Sequence, residues 1–158
     1  MGTSRSDFQW LAKTRLQEAK ALLDQGLFDG AYYLAGYAVE CALKAIIVKR
    51  IRRSELPDKT LINDLYTHNL TKLLGLADLQ VEYKQAAANQ RFADNWDVVK
   101  NWSEEARYRT LGRLRVTDTQ PLSPLRAKSP AAEERARALY NAISDPRDGV
   151  LRWLKRFW

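Results

Sequence analysis

The stretch from Gly26 to Arg53, GLFDGAYYLAGYAVECALKAIIVKRIRR, constrains the fold more than any other part of the chain. Gly26 is placed to close a preceding helix and Asp29 to cap a new one. Ala31 to Lys49 then run without a proline and with only Gly36 interrupting good helix formers. Read as a helix, the segment is apolar nearly all round. Ala31, Ala35, Ala38, Ala42 and Ala45 recur at three and four, a stripe of small side chains along which another backbone can come close. The other side carries bulk in Leu34, Cys41, Leu43, Ile47 and Val48, with Tyr33 and Tyr37 beside them. A helix buried on more than one side is the central helix of a bundle or half of a subunit interface.

Glu40 and Lys44 interrupt this apolar surface, one turn apart in the order that favours an ion pair. The spacing predicts a local pair on an exposed strip. The alternative is a buried polar pair that fixes register or faces a ligand cleft. The single cysteine, Cys41, lies in the same helix, so the chain has no disulfide framework and the residue reads as a small buried hydrophobe.

The flanking segments read as further helices. Ser6 or Asp7 is placed to cap a first helix in which Phe8, Leu11, Ala12, Ala19, Leu22 and Leu23 return at helical spacing until Gly26 stops it. A link of only Leu27 and Phe28 folds this helix antiparallel to the central one. Ser54 to Thr67 reads as a loop punctuated by Pro57 and Asp58, with a short apolar patch at Leu61, Ile62, Leu65 and Tyr66. Thr67 or Asn69 then caps a short helix bearing Leu70, Leu73 and Leu74, closed by Gly75. His68, the only histidine, stands at that helix start and reads as a capping or hydrogen-bonding group.

Val81 to about Phe92 reads as another helix, which the segment from Trp96 to Tyr108 continues or restarts at Asp94 or Asn95. Ser129-Pro130 starts a helix striped with Ala132, Ala136, Leu139, Tyr140 and Ile143. Asp145-Pro146 breaks it before a last amphipathic segment with Val150, Leu151, Leu154, Phe157 and Trp158. No repeat, low-complexity tract or alternating strand pattern is present. The expected fold is all-α: one domain over residues 1–158, an antiparallel up-and-down bundle of four to five helices.

The formal net charge of +7 and pI near 9.6 favour polyanionic partners. The cations concentrate in a long basic loop, about residues 109–128, that Arg107 introduces and that holds Arg109, Arg113, Arg115, Arg126 and Lys128. Trp96, Trp102 and Tyr108 precede it, and rings beside cations are a common way to hold a base; the stripe of Val98, Val99 and Trp102 accounts for Trp102 as core equally well. Lys49, Arg50, Arg52 and Arg53 form a second cluster, which suits the end of a helix dipole or half of an anion site. Metal-ligand spacings of cysteine and histidine, glycine-rich phosphate loops and an activated serine around Ser54 or Ser103 are all missing, so no metal and no cofactor is expected. The N-terminus lacks the apolar core of a signal peptide and no run approaches the roughly 20 apolar residues that span a bilayer, which predicts a cytoplasmic protein with no membrane partner.

The helix FDGAYYLAGYAVECALKAIIVKR, the leading segment ending LLDQGL, the later THNLTKLL and the EEARY segment together resemble the HEPN domain, the higher eukaryote and prokaryote nucleotide-binding family. The resemblance covers most of Phe8 to Tyr108 and rests on the order and spacing of these motifs. It implies a helical bundle that forms a homodimer, often encoded beside a nucleotidyltransferase in toxin–antitoxin or defence systems. Active members are metal-independent ribonucleases with an arginine, a polar residue and a histidine four to six positions after the arginine. Neither Arg107 nor Arg137 is followed by such a histidine, and His68 has no arginine at that distance upstream. Glu40 and Lys44 match the family's recurrent acid and lysine, and His68 with Leu70 its histidine-x-leucine, all read as structural.

The resemblance therefore implies a non-catalytic, dimeric module that binds nucleotide or RNA and pairs with a nucleotidyltransferase-type protein. Arg107, Tyr108, Arg109 and Arg113 are expected to line the anion site, with Arg50 and Arg53 as a second cluster. One rival is a ribonuclease in which His68 substitutes as the base. Another is a structural partner that binds protein through the alanine stripe and through Trp153, Phe157 and Trp158.

Overall fold

A computed structural model describes residues 4–51, 59–108 and 130–158, apart from the side chains of Leu61, Ile62 and Arg107. Arg52, Arg53, Pro57, Asp58 and the basic loop with Arg109 and Arg113 lie outside the described residues. Among the described residues there are eight α-helices, one 3₁₀ turn and no strand.

The first helix, α1 (Arg5–Asp24), begins two or three residues earlier than a cap at Ser6 or Asp7 implies, because Ser4 is the cap and bonds reciprocally with Asp7. Ser4 Oγ accepts the Asp7 N–H at 3.2 Å and Asp7 Oδ2 accepts the Ser4 N–H at 2.8 Å. The helix ends at Gly26, whose φ of 72° admits a residue without a Cβ most cheaply. There the Gly26 N–H donates to Leu23 O and the Leu27 N–H to Leu22 O, which satisfies two terminal carbonyls and reverses the chain. Helix α2 (Phe28–Arg50) starts at once and returns along α1.

Helix α2 is the axis of the molecule and touches α1, a short helix α4 (Leu70–Leu76), the 3₁₀ turn (Glu104–Tyr108), α7 (Pro130–Ser144) and α8 (Val150–Leu154). All five alanines of its stripe are fully buried. Ala35 and Ala42 share the main core with Ala12 and Ala19 of α1, while Ala31 packs with Ala132 and Ala136 of α7. The stripe is thus consumed inside one chain and is not open to a protein partner, which corrects one of the expectations above. By length and mean hydropathy, 1.4 over its best 18 residues, α2 could cross a bilayer, contrary to the sequence reading; 67% of that window is buried against the rest of the bundle, as a core helix requires.

Between α2 and α7 the chain is more broken than its periodicity predicts. Residues expected to be loop form α3 (Lys59–Asp64). Helix α4 runs past Gly75 to Leu76, and the left-handed residue after it is Asp78, φ 52°. That conformation is unusual for a residue with a side chain, and Arg50 clamps it: Nη1 donates to Asp78 Oδ2 at 2.6 Å and Nη2 to its carbonyl at 3.3 Å. The single helix expected over residues 81–92 is two, α5 (Gln80–Ala86) and α6 (Gln90–Lys100). Asn89 causes the break, because its side chain accepts the Arg91 N–H at 3.0 Å and donates to Asp148 at 2.8 Å.

At the far end, α7 begins at Pro130 and stops before Pro146, as the sequence indicates. Asp145 shapes the turn that follows, with Oδ1 accepting the N–H groups of Arg147 and Asp148 at 2.8 Å each and Oδ2 accepting from Arg91. These bonds, the two backbone ones first, hold the Asp145 carboxyl below its ordinary range. The turn delivers α8 so that Val150, Leu151, Trp153 and Leu154 enter the core, where Trp153 meets Phe92 of α6 with ring centroids 5.1 Å apart.

Candidate functional site

Residues 33, 37, 40 and 44 recur at four, three and four, so Tyr33, Tyr37, Glu40 and Lys44 stand on one line along α2. The structure closes the two ends of this line with segments distant in sequence. At the N-terminal end Tyr33 and Tyr37 stack nearly parallel, 7° between planes and 6.0 Å between centroids. Trp102 leans on Tyr33 at 6.2 Å and lies directly on Gly36, where a Cβ would come within 2.2 Å of the indole Cγ. Only a glycine on α2 leaves room for that ring. Trp102 is 3% exposed, and its Nε1 has no hydrogen-bond partner among the described residues. The 3₁₀ turn begins two residues later and packs against α2, and Tyr108 at its end is exposed.

The C-terminal end of the line is ionic. Glu40 is 1% exposed, with Oε1 accepting from Lys44 Nζ at 2.7 Å and Oε2 from His68 Nδ1 at 2.9 Å. The expected pair on an exposed strip is therefore a buried one. It is buried because the segment entering α4 folds over it: Asn69 caps α4 by accepting the Lys72 N–H at 2.8 Å, and His68 immediately precedes the cap. Two donors on one carboxylate compensate its removal from water. Because a carboxylate can only accept, the hydrogen sits on Nδ1 and Nε2 is the nitrogen left over, on a side chain 36% exposed.

Neighbouring groups respond to the same burial. Burial, then the Glu40 carboxylate, pushes the Cys41 thiol up to about 12, so it stays protonated at neutral pH and offers no nucleophile. Burial first, then Cys41 and Glu40, raises the Tyr37 phenol as well, which keeps it neutral.

Of the predicted arginines, Arg50 alone has a described side chain. Arg50 is committed to Asp78 and stands thirteen residues beyond Tyr37, roughly 20 Å along the helix. Arg53, Arg109, Arg113 and the side chain of Arg107 lie outside the described residues. What the chain does bring together are Tyr33, Tyr37 and Trp102 at one end of the line and Glu40, Lys44 and His68 at the other. Sequence reasoning passed over the two tyrosines as bulk, although their spacing to Glu40 and Lys44 was the available signal. Among the described residues no three of His, Cys, Asp and Glu gather to hold a metal ion.

A sequence model of the HEPN domain matches residues 9–122, a span that contains most of α1, all of α2, the Glu40–Lys44–His68 cluster and the 3₁₀ turn. No curated protein and no solved structure matches the chain. With that model covering more than half of the sequence, and with the all-α bundle that it implies in place, the chain belongs to the HEPN domain family.

Proposed function

We propose that the protein is a non-catalytic HEPN module that binds RNA or a nucleotide along the tyrosine face of α2. The reading rests on the stacked Tyr33–Tyr37 pair beside Trp102, at the point where the chain enters its arginine-rich segment. Bases stack on such rings without regard to sequence, and Arg107, Arg109 and Arg113 would hold the phosphates. Arg50 and Arg53 would add a second cationic contact only if Arg50 gave up Asp78. The missing histidine after Arg107 supports binding without cleavage. We extend the reading to a cytoplasmic homodimer paired with a nucleotidyltransferase-type protein in a toxin–antitoxin or defence system, on the family resemblance alone. Replacing Arg107 and Arg109 together by glutamate is expected to weaken single-stranded RNA binding by about 10- to 100-fold, read as fluorescence anisotropy. Unchanged affinity overturns the reading.

One observation favours a second reading, a metal-independent ribonuclease. The Glu40 carboxylate fixes the tautomer and orientation of His68, as a carboxylate does for a catalytic imidazole, and leaves Nε2 for proton transfer. Labelled mixed RNA incubated in EDTA with the native protein and with His68→Ala separates the two. A gel shift without cleavage is the expected result; cleavage that disappears in His68→Ala establishes the enzyme instead.

A further inference from the structure

We infer that a second anion site lies where Lys13, Lys49, Lys155 and Arg156 gather round Phe157 and Trp158, and that it takes the backbone phosphates of single-stranded RNA. The inference rests on RNA being the ligand, but it concerns a different surface. Lys49 follows Lys44 by five residues and so points about 140° away from the tyrosine line round α2.

Three separate segments converge there. Lys13 of α1 places Nζ 5.8 Å from the Trp158 ring centroid, and Lys155, just after α8, places its own at 5.9 Å from the same ring. The Arg156 guanidinium lies 5.6 Å from the Phe157 ring centroid, and Lys49 at the end of α2 donates to the Phe157 carbonyl at 2.9 Å. Lys20, Lys44, Arg50, Lys72, Arg91 and Lys100 each face a carboxylate. None of the four at this end has one among the described residues. Their mutual repulsion is relieved by an external anion. The rings and the carbonyl already hold these side chains in place, so a phosphate would cost little further ordering. Flat rings beside the cations offer bases a stacking surface as well as a counter-charge for phosphates, whereas an acidic peptide would use the charge alone.

The test compares Lys13→Ser, Lys49→Ser, Lys155→Ser and Arg156→Ser in one variant with a control that loses the same charge elsewhere, at Lys20, Lys84, Lys100 and Arg135. The probe is a fluorescent oligouridine of about 20 nucleotides, titrated over a range of salt. The patch variant is expected to bind at least about tenfold more weakly, with a salt slope lower by about 0.7 for each phosphate that is no longer neutralised, and the control to change little. Equal weakening in both variants overturns the proposal, as does competition by polyglutamate as strong as by unlabelled RNA. If circular dichroism shows the quadruple variant unfolded, Lys13→Gln with Lys155→Gln serves in its place under the same criteria. Weaker binding by the patch variant, with none by the Arg107 and Arg109 variant, sinks the tyrosine-face reading and leaves this site standing. The reverse pattern sinks this site alone, and a native protein that ignores the oligouridine sinks both.

Discussion

Glu40→Ala is expected to destabilise the fold by about 3 kcal/mol, the usual cost of removing one partner from a buried ionic pair. At this chain length that corresponds to a fall in Tm of roughly 10 °C. The carboxylate is 1% exposed and the Lys44 side chain 13%, so the substitution leaves an ammonium group mostly out of water without its counter-charge. It also deprives His68 Nδ1 of its acceptor and loosens the entry to α4. Glu40→Gln keeps the shape and one acceptor but not the charge, and belongs between the two in stability. Removing both ends, as Glu40→Leu with Lys44→Met, is expected to cost less than Glu40→Ala alone, because no charge is then stranded. Urea denaturation of the set decides the matter. If Glu40→Ala costs under about 1 kcal/mol, the pair behaves as a solvated surface contact and the buried cluster is wrong.

The parts of the fold that local chemistry dictates were legible from the sequence. Gly26 ends α1 because a left-handed residue is needed there, Pro130 starts α7 because its missing N–H has no partner in a first turn, and Pro146 ends it for the same lack. The nearly uniform apolarity of α2 marked it as central, and the structure puts it there. Local chemistry misled where one residue had two options. Asn89 sits in a run that could continue as helix, but its bond to Asp148 lies 59 residues away, and nothing nearby in sequence announces it. Asp78 takes the left-handed place that Gly75 was expected to fill because Arg50, 28 residues earlier, holds it there.

The site was less legible for the same reason. Spacing alone puts Tyr33, Tyr37, Glu40 and Lys44 on one face, but it does not say what covers that face. The cover decides the chemistry: His68 turns a surface ion pair into a buried cluster, and Trp102 turns two bulky rings into a stacked aromatic corner. Both partners come from segments joined to α2 only through tertiary packing. The arginines were visible as composition, yet composition does not distinguish Arg50, spent on Asp78, from a cation free to meet phosphate.

Gly36 offers the sharpest test of that packing, because two effects of opposite sign compete at one atom. Alanine in place of a mid-helix glycine ordinarily gains up to about 1 kcal/mol from helix propensity. Here the new Cβ falls 2.2 Å from Trp102 Cγ and 2.3 Å from Cδ1 and Cδ2, far inside contact distance, and the indole is too well buried to slide aside. Overpacking of this kind costs about 1–3 kcal/mol, which exceeds the propensity gain. Gly36→Ala is therefore expected to be destabilised by about 1 kcal/mol on balance, and Gly36→Val, with two more methyl groups against the ring, by about 3 kcal/mol. Trp102→Ala should relieve much of the second penalty, so the double variant is more stable than the two single substitutions predict. Near-ultraviolet circular dichroism should show that the indole is no longer fixed in Gly36→Val. The displaced ring drags on the 3₁₀ turn that starts at Glu104, so if RNA binds as proposed its affinity should fall along with stability. A Gly36→Ala variant that is more stable than the native protein would mean that propensity acts unopposed and that Trp102 does not lie on α2.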